Sequence, residues 1–194
     1  NTSLHDQVAT PNFLVGGMFI GKILGMLAKD GWSAATFWDV ANGWSGAGDH
    51  GLLSKDHDGL DQFTPYPAYF AFYFYAQAFG DTLVEASSDD DSVVVHASRY
   101  SDGTLGLILI NEGGNERGIR LDTPGRTPPG EANAWTLTGE ALDSGRLALN
   151  GESTGREFGG PDPTQVPPRY LALDADVPLT LELPGHSMTA LRVY

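Results

Sequence analysis

Cysteine is absent from this chain of 194 residues, so neither a disulfide framework nor a thiolate metal site can form. That absence suits an exported bacterial enzyme and is equally compatible with the cytosol. Basic residues are scarce, 11 against 25 acidic ones, which gives a formal net charge of -14. Nucleic acid and anionic membrane surfaces would both repel such a chain, so neither is expected as a partner. The charge also serves simply to keep the protein in solution. No apolar run is long enough to cross a bilayer: the longest, Phe13 to Ala28, is short and carries Lys22. No basic segment precedes it, so it does not read as a signal peptide either. A phosphate-binding loop, a dinucleotide fingerprint and a Gly-x-Ser-x-Gly elbow are all missing. The five histidines (His5, His50, His57, His96 and His186) are scattered with no pair at helical spacing, so no zinc site is expected. The first residues, Asn1-Thr2-Ser3, carry no Met, as in a processed or truncated chain.

What is present is organised in two styles. Phe13 to Lys29 reads as a helix by its unbranched apolar residues and its Asp30-Gly31 stop, with Asn12 as N-cap. Gly17, Gly21 and Gly25 share one face of it. Each costs about 1 kcal/mol against alanine, which close approach to a sheet would offset. Trp32 to Val40 reads as a short buried strand that stops on Trp38-Asp39 and enters a Gly-rich loop carrying Trp44. Pro67 to Phe79, aromatic on all sides, reads as a second helix with Pro67 in its first turn and Gly80 at its C-terminal cap. Beyond Gly80 the pattern changes to seven short β-rich runs: 82–85, 92–100, 104–111, 118–122, 134–138, 178–183 and 188–194. Ser101-Asp102-Gly103 supplies a hairpin turn between two of them. The Gly- and Pro-rich insert 150–168 reads as an ordered loop. The order, α/β units followed by β only, predicts two domains, residues 1–80 and 81–194. Two α/β units cannot close a barrel on their own, since about 250 residues are needed.

The order of motifs resembles the C-terminal end of a retaining glycoside hydrolase of the large (β/α)8-barrel clan that holds α-L-arabinofuranosidases, xyloglucanases and β-agarase-like enzymes. The residues that carry the resemblance are Asn1-Thr2-Ser3 after a seventh strand, the glycine-rich helix 13–29, and Phe37-Trp38-Asp39 on an eighth strand. Gly51-Leu52-Leu53 and Pro65-Tyr66-Pro67-Ala68-Tyr69 follow in the expected order. So do the hairpin from Asp102 to Asn111 and the turn Pro184-Gly185-His186-Ser187-Met188-Thr189. The resemblance implies an α/β plus all-β fold, the C-terminal portion of a (β/α)8 barrel followed by an antiparallel β-sandwich. Residues 1–80 would be the end of strand seven, helix seven, strand eight and helix eight. It also implies that the nucleophilic glutamate lies just before Asn1 and the acid/base glutamate on strand four. A retaining mechanism needs both carboxylates, about 5–5.5 Å apart. No catalytic residue, metal or cofactor is therefore expected in this chain. The implied partners are a carbohydrate substrate and a second polypeptide carrying barrel strands one to seven, in a secreted or periplasmic setting.

The candidate substrate-binding residues follow from strand ends and the loops after them. Trp38 offers an indole face on which a sugar ring can stack, or else packs in the core behind the strand. Asp39 would hydrogen-bond a sugar hydroxyl or orient a catalytic side chain; its structural alternative is a turn cap. Asn1 and His5 follow strand seven and would sit on the rim. Trp44, Asp49 and His50 lie in the Gly43–Gly51 loop that would cover the site, with Asn42 as a turn-former or a contact. Asp56 to Asp61 lacks the spacing of a calcium loop and reads as an acidic surface segment, as does Ser87 to Asp91. His96 and His186 read as structural. Two rival functions remain open at this level. One is a non-catalytic carbohydrate-binding or structural module, against which counts the presence of a single tryptophan, Trp135, in the β-rich part. The other is a homo-oligomer whose copies cover each other's barrel surface.

Overall fold

A single 3-10 turn (Thr10–Asn12), two α-helices and ten strands form over the residues that the computed structural model describes, which are 10–44, 48–55, 60–122, 130–173 and 178–194. Helix α1 spans Leu14–Lys29 and helix α2 Pro67–Ala78. The expected caps are corrected at both. The N-cap of α1 is Phe13, with no side-chain hydrogen bond, and Asn12 is turned to another task described below. Gly80 does not close α2 in a left-handed conformation; the helix ends on the extended Phe79. Glycine is needed at 80 for a different reason: a Cβ there would stand 2.7 Å from the Arg99 carbonyl carbon. Its N–H donates to Ser98 Oγ at 2.7 Å.

The strand expected from Trp32 to Val40 is also corrected. The segment runs outside any sheet, and residues 32–36 are exposed. A strand is fixed by hydrogen bonds to a neighbour, and among the described residues none lies beside 32–38 to supply them.

The strands are β1 (Thr82–Val84), β2 (Val93–Arg99), β3 (Leu105–Asn111), β4 (Arg117–Leu121), β5 (Glu131–Gly139), β6 (Leu147–Leu149), β7 (Glu152–Ser153), β8 (Arg169–Ala172), β9 (Leu179–Leu183) and β10 (Ser187–Val193). All seven expected runs form strands; β6, β7 and β8 are additional. The hairpin between β2 and β3 closes as its turn residues dictate. Gly103 adopts φ +94, and Tyr100 N–H donates to Thr104 O at 2.9 Å.

One antiparallel sheet runs β1-β2-β3-β10-β5-β6-β7, with β8 on the other end of the β5 edge that β6 uses. A separate two-stranded sheet pairs β4 with β9. The two helices cover one face of the main sheet, where Leu14, Met18, Phe70 and Phe74 join Ile108, Ile110, Leu137 and Met188 in one core. The small sheet lies on the other face, where Leu181 and Leu183 share a second core with Leu107, Leu109, Leu191 and Val193. Covered on both faces, β10 is apolar or small at nearly every position rather than alternating. The glycine face of α1 is what lets the layers close. A Cβ on Gly17 would meet the Pro67 carbonyl oxygen at 2.6 Å, one on Gly21 the Met188 sulfur at 2.5 Å, and one on Gly25 the His96 ring.

Candidate functional site

The Trp38–Asp39 stretch and the loop after it are held together by main-chain bonds. Leu52 N–H donates to Asp39 O and Leu53 N–H to Val40 O, both at 2.9 Å, closing the base of the 41–51 loop. Leu53 then bridges to Pro65, and Tyr66 N–H donates to Leu52 O at 2.9 Å. The loop thereby hangs between the extended segment and the start of α2.

Trp38 is 79% exposed, so it is not a core tryptophan. Its neighbour Phe37 packs edge-on against Phe72 of α2, with ring centroids 5.7 Å apart, which anchors the segment from below. The peptide bond between Trp38 and Asp39 is cis. Asp39 is half-buried, and its Oδ1 is buried with no hydrogen-bond partner among the described residues.

Trp44 is half-buried and tilts against Phe158 of the 150–168 insert, ring centroids 4.9 Å apart; Phe158 in turn stacks on Phe13 at 6.1 Å. The insert also reaches the stretch leading into α2, through Arg156, whose Nη2 donates to Asp61 Oδ2 at 2.5 Å, and through Gly160 N–H to Pro65 O at 3.0 Å. His50 is exposed. Asn1 and His5 lie outside the described residues, as do residues 56–59 of the acidic 56–61 segment.

Asp49 is fully buried and structural. Asn12 grips its backbone from both sides: Asp49 N–H donates to Asn12 Oδ1 at 2.8 Å, and Asn12 Nδ2 donates to Asp49 O at 2.9 Å. Asp49 Oδ1 accepts from Gly51 N–H at 2.8 Å. Burial, and then the Asp49 carboxylate beside it, hold the Tyr66 phenol protonated far above the usual tyrosine range. Asn12, Tyr66 and Phe158 are supports that sequence reasoning does not find. Asn12 sits where an N-cap is expected, and Phe158 falls in a segment with no periodicity. No cluster of metal-ligating side chains occurs among the described residues, and no helix there is long and apolar enough to cross a membrane.

No family model matches the chain, and no curated protein matches it. Solved structures do. A GH51 α-L-arabinofuranosidase from Thermotoga petrophila matches over 96% of this chain and 40% of its own, with TM-score 0.67 at 17% identity. The chain has the fold of part of a glycoside hydrolase. The catalytic domain of GH30 xylanase C from Talaromyces cellulolyticus matches over 92% of this chain and 35% of its own, with TM-score 0.61 at 17% identity. A GH44 xyloglucanase from Paenibacillus polymyxa matches over 94% and 29%, with TM-score 0.59 at 18% identity. The chain thus spans well under half the length of each of these three glycoside hydrolases, and at these identities the likeness is one of fold.

Proposed function

We propose that the chain is the C-terminal portion of a retaining glycoside hydrolase that acts on a plant or algal polysaccharide or oligosaccharide. Residues 1–80 contribute the last two βα units of its barrel, and residues 81–194 its β-sandwich domain. Both catalytic glutamates lie on polypeptide outside this chain. The observation that carries the reading is the state of the segment from Trp32 to Val40. It belongs to no sheet, is buttressed on one side by α2 through Phe37, and has no strand paired with 32–38 among the described residues, while Trp32, Trp38 and Val40 are exposed. Phe19, Met26 and Phe63 are exposed in the same part of the chain. A parallel barrel strand is covered on both edges by its neighbours, so these are the surfaces that further barrel strands would bury.

In this reading Trp38 stacks on a sugar ring and Asp39 accepts from a sugar hydroxyl. Trp44 and His50 line the same subsite from the covering loop, with Asn1 and His5 on its rim. A polymeric substrate is met outside the cell, so a secreted or periplasmic location goes with the reading. The rival role as a carbohydrate-binding module loses its platform, because Trp135 is 6% exposed and belongs to the core under the helices.

Native mass spectrometry of the purified material, followed by denaturing analysis of its chains, tests the proposal. A larger partner, and hydrolysis of arabinoxylan or xyloglucan by the assembly but not by the separated chain, is the expected result. A stable, active monomer of 194 residues would sink it, and so would assemblies made of this chain alone.

A further inference from the structure

The helices do not cover their face of the main sheet to its end. α2 stops where the Ala78 carbonyl closes on Gly106 of β3, and a Cβ on that glycine would strike it. Gly106 pairs with Arg192 of β10, Arg192 with Asn133 of β5, and Asn133 with Tyr170 of β8. Arg192 follows Met188 and Ala190 at alternate positions, and Asn133 precedes Trp135 and Leu137 in the same way. All four of those residues lie in the core under the helices. The row therefore extends the core face outward, but its side chains change from apolar to polar and aromatic. Tyr170 is 61% exposed, and Tyr194, two residues beyond Arg192, is 43% exposed.

The side chains of this patch are held in place. Tyr170 Oη donates to Glu131 Oε2 at 2.9 Å, and Asn133 Nδ2 donates to Tyr194 Oη at 3.2 Å. The Arg192 guanidinium carbon lies 4.3 Å from the centre of the Tyr100 ring and 5.3 Å from that of Tyr194. Tyr100 is itself tied to the end of α2, donating to Gln77 O at 3.3 Å. Arg192 Nε is buried without a hydrogen-bond partner, and the residue forms no ion pair among the described residues.

We propose that this patch is a sugar-binding surface separate from the Trp38 subsite, on which an extended, neutral, β-linked glycan lies across β10, β5 and β8. Tyr170 and Tyr194 are its platforms. A pyranose presents C–H groups to an aromatic face and keeps its hydroxyls around the edge, and tyrosine offers the matching apolar face with a polar tip. The two tyrosines stand two strands apart, about 10 Å at the spacing of paired strands. That suits two sugars of a flat chain better than one ring. Asn133 and Arg192 supply donors between them, and Glu131 supplies an acceptor.

The chemistry of the patch selects its occupant. The surface that the proposed barrel partner buries is apolar, at Phe19, Met26 and Phe63, whereas this row carries Arg192, Asn133 and Glu131. An anionic ligand is disfavoured by Glu131, by Asp81 and Asp102 close to Tyr100, and by the net charge of -14. Two tyrosines on an open face hold a chain weakly, as an auxiliary grip on a polymer and not as a dedicated binding module. This chain alone builds the patch, so the inference does not rest on the barrel reading and outlasts its failure.

The test is residue-resolved amide NMR of the whole chain, titrated separately with cellohexaose and xylohexaose, with maltohexaose as the α-linked control. Expected are saturable shifts at 131–133, 170 and 192–194 with a β-linked oligosaccharide, in the millimolar range, and none there with maltohexaose. Tyr170→Ala and Tyr194→Ala, both at exposed positions that leave the fold intact, should each weaken binding about fivefold. Tyr170→Phe keeps the ring and gives up only the bond to Glu131, so it should bind within about twofold of the parent chain. The absence of shifts at these residues, equal shifts with the α-linked control, or binding untouched by both alanine changes would overturn the proposal. Shifts confined to 38–53 would overturn it as well, while supporting the Trp38 subsite.

Discussion

At the scale of single residues, exposure separates the side chains available for ligand from those that hold the site. Trp38 touches little of its own protein, so Trp38→Ala should leave the melting temperature within about 1 °C, since surface changes stay within about 0.5 kcal/mol. In the completed enzyme the same change should raise KM for oligosaccharide at least tenfold. An unchanged KM would remove Trp38 from the subsite. Asn12 is the opposite case. Removing its amide strands two buried backbone groups of Asp49, so Asn12→Ala should cost about 1–3 kcal/mol in denaturant unfolding. Its amide-exchange signature should be faster opening confined to 48–53. His96 adds a pH term. Its ring is pressed under Gly25, and burial, reinforced by Lys29 on the same helix, pushes its pKa below the usual histidine value, while a hydrogen bond that the ring donates to the Lys22 backbone opposes this. The fold therefore prefers the neutral imidazole. Its contribution is complete above about pH 6.5, where the unfolded chain is neutral too, and is lost as the pH falls through that value. Denaturant midpoints at pH 7.5 and 5.5 should differ for the wild type and differ less for His96→Gln.

At the scale of elements, α1 is defined by what its glycines approach, and the three are not equivalent. Gly17→Ala drives a methyl into the Pro67 backbone and Gly25→Ala drives one into the His96 ring. Neither obstacle can step aside, so each should cost about 1–3 kcal/mol. Gly21→Ala meets the flexible end of Met188, and the gain in helix propensity of about 1 kcal/mol offsets the contact. Thermal melts of the three variants would show this order, and equal losses would refute it. The same helix shows how far sequence carries. Its span, its glycine stripe and the seven main strands are legible because each is written in local periodicity and turn chemistry. The caps are not: Asn12 has the right type for an N-cap, but a contact 37 residues away claims its amide. β6, β7 and β8 are too short to show a period and exist through pairing to β5 and to each other. Trp32 to Val40 fails for the converse reason, a strand-like composition with no ladder beside it. Of the site, the placement of Trp38 at the mouth of a closed loop is readable in advance. The anchoring of Trp44 by Phe158 is not, because it joins segments with no common pattern.

At the scale of the whole molecule, apolar exposure is unevenly spread. Among the described residues, six of the ten large exposed hydrophobic side chains lie between Phe19 and Phe63. Binding of an environment-sensitive apolar dye to the isolated chain should be strong and should fall on assembly with the partner proposed above; dye binding that assembly does not reduce would count against that partner. The order of strands in the main sheet has its own consequence for synthesis. β10 fills the slot between β3 and β5, bonded along its full length to both, yet it follows every other strand in the chain. Until residues 187–193 leave the ribosome, β1-β2-β3 and β5 with its short neighbours are two separate sheets, each with an open inner edge. A nascent chain paused before that point displays two sticky edges rather than a partly stable domain. Chaperone capture should therefore peak before residues 187–193 emerge, and a release short of Ser187 should yield aggregate instead of a weakened fold.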